Sequence, residues 1–474
     1  MSGTYTFART IRKEDTYDLV VAGGGPAGAA TAICAGRLGA RVLLAEAMGC
    51  MGGMGTCGLV NAFDPMANGK EMLVGGFMRE LVEAMYARGF LNPRIDPDAW
   101  RKKYMWWTQF QGEGLKLMLD EYAAAAGVEV RFFTRVVGAE VGETAGADAA
   151  RRRVDGVVLH NIEGLSFVPA RTFIDATGDA VLSHLCGAAC RTAGVDSPNI
   201  MPASLASTHA GIDFDRYASG SLWGQDLASV IEAEYAAGNL SQCDRHVPGL
   251  TAIGQQVGYL NAAHVFGLDA TNVRSLSDGM AKGRRWVQEL VRLYRKHQPG
   301  CERMELVQTG WLMGVRESRR ILGEYELTVA DYQNRRQFPD QIGVFNKYVD
   351  IHPYDDSNEQ WNRYLTDAHD KNLGEGESFG IPYGILVPRG FDNLWTAGRC
   401  ASTDVGVQGA IRVMPSSAMM GQAAGTAAVQ AIQTRATADT LDTEMLVTTL
   451  RRQGAHLPQK MLTRRMTTTA ANRQ

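Results

Sequence analysis

Asp18-Leu19-Val20-Val21-Ala22 is an apolar run with the length of a buried strand, and glycines follow it without a gap. Small and apolar residues then run from Ala29 to Leu38, Gly39 stops them, and Arg41-Val42-Leu43-Leu44-Ala45 predicts a second strand ending on Glu46. Strand, glycine turn, helix and strand make one complete βαβ unit. Beyond it, Leu73 to Arg88 has the pattern of an amphipathic helix. Gly114 to Ala126 predicts another, with Leu115, Leu119 and Tyr122 on one face and Gly127 ending it. Val128 to Val141 and Val154 to Asn161 alternate as strands around a polar turn, and Phe167 to Ala176 adds one more, a β-meander over 128–176.

The βαβ rhythm is lost between 190 and about 350. Ser204 to His209 and Phe345 to Val349 suggest strands there, and Lys282 to Lys296 and Trp311 to Tyr325 suggest helices. A short strand returns at Asn393 to Arg399. A helix of small residues follows from Pro415 to Ala428, and Leu441 to Leu457 predicts a last surface helix. Residues 1–16 are expected as a surface lead-in. The pattern predicts an α/β chain: a discontinuous Rossmann-like nucleotide-binding domain (17–190 and 386–434), an inserted α+β substrate domain (191–385), and a C-terminal helix and tail (435–474).

The glycine turn carries the first chemistry. Gly23, Gly25 and Gly28 fill G-x-G-x-x-G in its diagnostic place. The first glycine permits the tight turn, the second opens the backbone to a pyrophosphate, and the third lets helix and strand pack. The helix N-terminus adds partial positive charge. Glu46, 18 residues after Gly28, is placed to accept hydrogen bonds from ribose hydroxyls. An adenine dinucleotide is therefore expected, with FAD and NAD both open at this point. Met48 to Gly58 holds five glycines in eleven residues, which suits a loop wrapping a ligand with its backbone. Asp175-Ala176-Thr177-Gly178-Asp179 ends a strand on small residues that leave room beside the first glycine loop.

Composition narrows the class. The 474 residues are 45% hydrophobic and 21% charged with net charge -3, globular values that give no reason to expect nucleic acid or an anionic membrane as partner. Arg151-Arg152-Arg153 is expected in a solvated hairpin loop. No apolar run reaches the eighteen or so residues of a membrane span. Eight cysteines lie scattered without a C-x-x-C pair or histidines at zinc spacing, so a reduced cytoplasmic setting and no metal are expected.

Eight motifs in order, DLVVAGGGPAG, GCMGGMGT, DATGD, the stretch Trp311 to Tyr325, Asp350-Ile-His, IPYGILVP from Ile381, NLWTAGRCAS and RVMPSSAMMGQAAGTAA, resemble the successive signatures of the FAD-dependent oxidoreductase family. Its fold is similar to that of glutathione reductase and fumarate reductase flavoproteins. The resemblance implies FAD as cofactor. It places Gly23, Gly25, Pro26, Ala27 and Gly28 at the pyrophosphate, Glu46 at the adenosine ribose, and Gly52, Gly53 and Thr56 at the pyrophosphate–ribitol region. Val136 joins them as a cofactor-binding residue, with Gly178 and Asp179 near the phosphates, Gly398 and Arg399 at the ribitol, and Gly409 to Pro415 near the flavin ring. One position departs from the family pattern: Val405 stands where members carry a histidine, and the Gly-Ser that follows is here Gly409-Ala410.

Four candidates remain for the reaction. Arg412, before the Pro415 helix, is placed to stabilise negative charge on a reduced flavin. Arg316, Arg319 and Arg320 would share one helix face and could clamp a substrate anion, or pair with Glu317, Glu324 and Glu326. His352, oriented by Asp350, is a candidate general acid/base, and Cys57 a candidate redox thiol. The expected activity is hydride transfer between a small organic substrate and FAD. A flavin monooxygenase using NAD(P)H and oxygen and a non-catalytic flavoprotein are the alternatives.

Overall fold

The computed structural model describes residues 4–6, 8–144, 151–220, 222, 225–367 and 372–458. The polar turn of the meander falls on 145–150, outside the described residues.

Four parallel strands carry the nucleotide-binding half: Glu129–Arg131, Val42–Ala45, Tyr17–Ala22 and the second half of Gly164–Asp175, with Leu394–Thr396 completing the row beyond it. The long strand Gly164–Asp175 serves two sheets. Its first half pairs antiparallel with Arg151–Asn161, which pairs with Arg135–Thr144 to form the meander. Its second half lies between Tyr17–Ala22 and Leu394–Thr396, and Thr172 to Asp175 are buried there. The row is the parallel sheet of an α/β, Rossmann-like fold. Arg12–Lys13 adds a short edge pairing to Ser166 and Phe167, which ties down part of the expected lead-in.

Helix Pro26–Arg37 packs against helix Met414–Thr434. Their backbones come so close that a Cβ on Gly421 would stand 2.1 Å from Ala27 O, and one on Gly425 2.5 Å from Thr31 O. Thr31 Oγ1 donates to Gly421 O at 3.1 Å across the same contact. The small residues of RVMPSSAMMGQAAGTAA therefore exist to let the C-terminal helix lie on the first one, which carries the chain's end back to the first glycine loop.

The intervening residues build a second core. Strands Thr251–Ala252, Gly258–Leu260, Ser207–Ala210 and Glu305–Thr309 form an antiparallel sheet. Helix Val273–His297 packs near it, burying Trp286, Val287, Leu290 and Tyr294.

Three expectations are corrected. Arg151, Arg152 and Arg153 begin a strand and are not a loop: Arg151 is held by Asp392 and Asp439, and Arg152 lies 4.1 Å over the Phe391 ring. The strand near Phe345 ends there, spanning Gln341–Phe345. Trp311 to Tyr325 is not helical. Its amides bond to other segments, Trp311 N to Cys57 O at 2.8 Å and Gly314 N to Ser204 O at 2.8 Å, and only Arg319–Ile321 is regular, as a strand against Cys190–Thr192. A strand alternates its side chains, so Arg319 and Arg320 point to opposite faces instead of sharing one.

Candidate functional site

Sheet register brings the sequence motifs together. Ala22 aligns with Ala45 on one side and Asp175 on the other, and Asp175 aligns with Thr396. The carboxyl ends of four strands thus lie level, and from them issue Gly23, Glu46, the 176–179 turn and Ala397-Gly398-Arg399. Ligands of open α/β sheets bind outside this edge.

The cradle there fits an adenine dinucleotide. Gly23 has φ +91°, and a Cβ on Gly28 would stand 1.8 Å from Gly23 O, so turn and helix contact both require glycine. A Cβ on Gly25 would meet nothing within 4 Å: this is the open face. Helix Pro26–Arg37 starts there with Pro26 in its first turn and no side chain capping it, leaving its dipole end for phosphate. Glu46 is buried at its strand end and accepts from Gly24 N and Met48 N; burial raises its pKa. The second glycine loop is clasped to the first by Gly52 N donating to Gly24 O at 2.9 Å, with Gly52 in the left-handed region. Thr56 Oγ1 braces that loop through Met51 O at 2.8 Å. Val136 is partly buried in the first meander strand, two residues beyond Thr134, whose N–H donates to Glu46 O.

Gly398 lies beside the helix start, where a Cβ would stand 3.1 Å from Ala27 Cβ. Arg399 turns away to bind Gly178 O at 2.8 Å and the Asp179 carboxylate, which also accepts from Ser318 Oγ at 2.6 Å. Gly409 lies against the backbone of Asp350, 3.0 Å from where its Cβ would be. Arg412 binds the Asp350 carboxylate at 2.9 Å.

Asp350 opens onto a buried polar cluster at the junction of the C-terminal return and the second core. Its other oxygen faces His352 Nε2 at 3.3 Å, and His352 Nδ1 lies 3.2 Å from His264 Nε2. His264 Nδ1 donates to Asp244 at 2.9 Å, and His246 Nε2 meets Tyr364 Oη at 2.9 Å. Arg316 directs Nη1 to Pro202 O and Ser204 Oγ and Nη2 to His264 Nε2 at 3.4 Å. Its Nε has no partner, and among the described residues no carboxylate lies within ion-pair distance of it. Burial, with Arg412 nearby, lowers its pKa to about 9. Burial and the Arg316 charge hold His352 well below the usual imidazole range; His352 and Arg412 hold Asp350 low although burial opposes them. Arg320 belongs elsewhere, buried against Asp196 and Thr403 O. Of the expected catalytic residues, Arg316, His352 and Arg412 thus meet in one cluster, while Arg319 and Arg320 lie outside it.

The FAD dependent oxidoreductase family model matches residues 18–451. The chain belongs to that family. The bound cofactor is accordingly FAD, and the protein is an FAD-dependent oxidoreductase. No curated protein sequence matches the chain significantly. Among solved structures, a geranylgeranyl bacteriochlorophyll reductase-like protein from Thermoplasma acidophilum is 13% identical over 94% of this chain and 83% of its own, with a TM-score of 0.45. A flavin-dependent brominase is 14% identical over 92% and 83%, with a TM-score of 0.43. The p-nitrophenol 4-monooxygenase of Pseudomonas putida is 9% identical over 93% and 82%, with a TM-score of 0.39. Among the described residues no helix is long and apolar enough to cross a membrane.

One part of the enzyme's candidate site escaped the sequence, while the Cys57 thiol was a sequence candidate. His246, His264, Asp244 and Tyr364 come from stretches with no motif, and only the fold brings them to His352. Cys50 and Cys57, seven apart, stand with their sulfurs 3.4 Å apart in the second glycine loop. The Cys57 thiol as donor lowers Cys50 to a pKa of about 6, while Cys57 itself is pushed up. Iodoacetamide is expected to alkylate Cys50 in preference to Cys57, with a rate that is flat above pH 7 and falls below pH 6. Peptide mass spectrometry across that range checks it, and a midpoint near pH 9 refutes the shared proton.

Proposed function

We propose that this flavoenzyme transfers a hydride between a small organic anion and FAD. The reading is supported by one observation above all, the buried Arg316 with no carboxylate in contact. A guanidinium taken out of water needs an anion or a full set of acceptors, and this one has neither. Bound FAD supplies the two-electron acceptor or donor. The chain's own residues hold the anion: Arg316 supplies the fork, Ser204 and Pro202 fix its angle, and Asp350 keeps Arg412 in place beside it.

Anaerobic stopped-flow absorbance tests this with a panel of small carboxylates and hydroxy acids. A member of the panel is expected to bleach the flavin in one two-electron phase. Arg316→Met is expected to raise the half-saturating concentration about 10- to 100-fold, the loss of roughly 1.5–3 kcal/mol of charge-assisted hydrogen bonding, while FAD stays bound. A flavin reduced by NAD(P)H alone, with oxygen consumed in turnover, overturns the reading in favour of a monooxygenase. A flavin that no metabolite reduces overturns it in favour of a non-catalytic role.

A further inference from the structure

We infer that His246, His264 and His352 form a binding site for one divalent transition-metal ion. One nitrogen from each lies within 4.8 Å of the other two, and among the described residues this is the group of this kind that converges. The three come from separate stretches, with Asp244 and Asp350 beside them.

The outer nitrogens decide which atoms face inward. His264 Nδ1 sits 2.9 Å from Asp244 and His352 Nε2 3.3 Å from Asp350, so each carboxylate takes an N–H from its imidazole. His246 Nε2 is engaged by Tyr364 Oη at 2.9 Å. A second partner on the outer nitrogen is the usual way a protein fixes the tautomer and aim of a metal-binding histidine, a carboxylate most of all. It leaves His264 Nε2 and His352 Nδ1 as bare acceptors, and His246 Nδ1 joins them where Tyr364 Oη accepts from Nε2.

His264 Nε2 and His352 Nδ1 face each other, and one nitrogen of His246 lies within 4.8 Å of each. His264 Nε2 and His352 Nδ1 are 3.2 Å apart with a lone pair on each, and His246 Nδ1 is buried with no hydrogen-bond partner at all. Facing lone pairs repel unless a cation stands between them. The 3.2 Å separation matches the edge of a tetrahedron whose metal–nitrogen bonds are about 2.0 Å. Imidazole donors suit zinc, iron, nickel or copper better than magnesium or calcium. Closing the third side takes a rotation of the His246 ring out of its stack on His264, where the centroids are now 5.4 Å apart.

Three protein ligands leave a fourth position open, as in a catalytic and not a structural site. Arg316 Nη2 now lies 3.4 Å from His264 Nε2, a nitrogen the ion would claim. With the ion in place the guanidinium turns to that open position, where an oxygen of an anionic substrate is shared by cation and fork. His352 then serves as a ligand in place of the acid/base role its sequence context suggests. The substrate-holding role rests on the function proposed above; the presence of the ion does not.

The FAD-loaded protein, stripped with a chelator and titrated calorimetrically with zinc or cobalt(II), gives the test, with metal content read by mass spectrometry. One equivalent per chain is expected. His264→Gln and His352→Gln are expected to abolish it, Asp244→Asn to weaken it about 10- to 100-fold, and the exposed His184→Gln to leave it unchanged. Retained FAD in every variant certifies the fold. Absence of binding in the FAD-loaded wild type, or stoichiometric binding that survives both ligand substitutions, overturns the inference. Flavin reduction by a small anion in the metal-free wild type would refute the ion's role while leaving the proposed reaction standing; metal binding without any such reduction would do the reverse.

Discussion

Gly28→Ala is expected to yield protein without bound FAD. The added Cβ would stand 1.8 Å from Gly23 O, a backbone atom that cannot move without opening the turn, and 3.1 Å from Ala176 Cβ in the turn after the neighbouring strand. Overpacking a well-filled contact costs about 1–3 kcal/mol, and more where backbone must shift. The displaced turn is the one whose open face at Gly25 we propose for the pyrophosphate, so affinity and stability are expected to fall together. Gly39→Ala is the control. Gly39 also has a positive φ, +86°, but a Cβ there meets nothing within 4 Å, so only about 1 kcal/mol of backbone strain is expected and FAD is kept. Flavin absorbance per chain after gel filtration separates the two. A yellow Gly28→Ala protein with wild-type flavin content would show that the turn is not tied to the cofactor.

Removing either partner of the Lys347–Asp64 pair is expected to destabilise the enzyme by about 3–5 kcal/mol. Lys347 Nζ lies 2.5 Å from Asp64 Oδ2 with the two side chains 2% and 11% exposed, and the ammonium also stands 3.5 Å from the centre of the Tyr348 ring. Asp64→Leu leaves a cation in the interior without an anion, and Lys347→Met leaves the carboxylate alone. Replacing both, Asp64→Leu with Lys347→Met, is expected to recover most of the loss, because the cost comes from the orphaned charge and not from the pair's net contribution. Denaturant midpoints of the four proteins form the cycle. Single substitutions that shift the midpoint by less than about 1 kcal/mol would mean that water reaches the pair.

The cluster around His352 shows how a local pattern misleads. Arg316, Arg319 and Arg320 have helical spacing, and an isolated segment with that spacing favours one face. Tertiary contacts override it, because Gly310 and Gly314 bring the backbone against Cys57 and Ser204, and the amides of Trp311 and Gly314 are taken up there. Arg316 still reaches the site, by burial beneath the second core, while Arg320 is drawn off to Asp196 and Arg319 to the opposite face. Imidazoles reach His352 from 246 and 264, residues that spacing cannot connect with 352.

What the sequence determined by itself is the cofactor end of the molecule. Gly23, Gly25, Gly28 and Glu46 occupy one short βαβ unit, whose geometry follows from local rules: strand period, glycine φ and helix start. The small residues from Gly421 to Ala428 likewise declared a close helix contact before its partner was known. The tertiary structure alone decided the rest. Strand register levelled Ala22, Ala45, Asp175 and Thr396 into one binding edge. The second core then carried Asp244, His246, His264 and Arg316 against Asp350 and His352. Side chains as far apart in sequence as His264 and His352, 88 residues, meet only when non-local packing brings them together, and neither periodicity nor spacing along the chain records that.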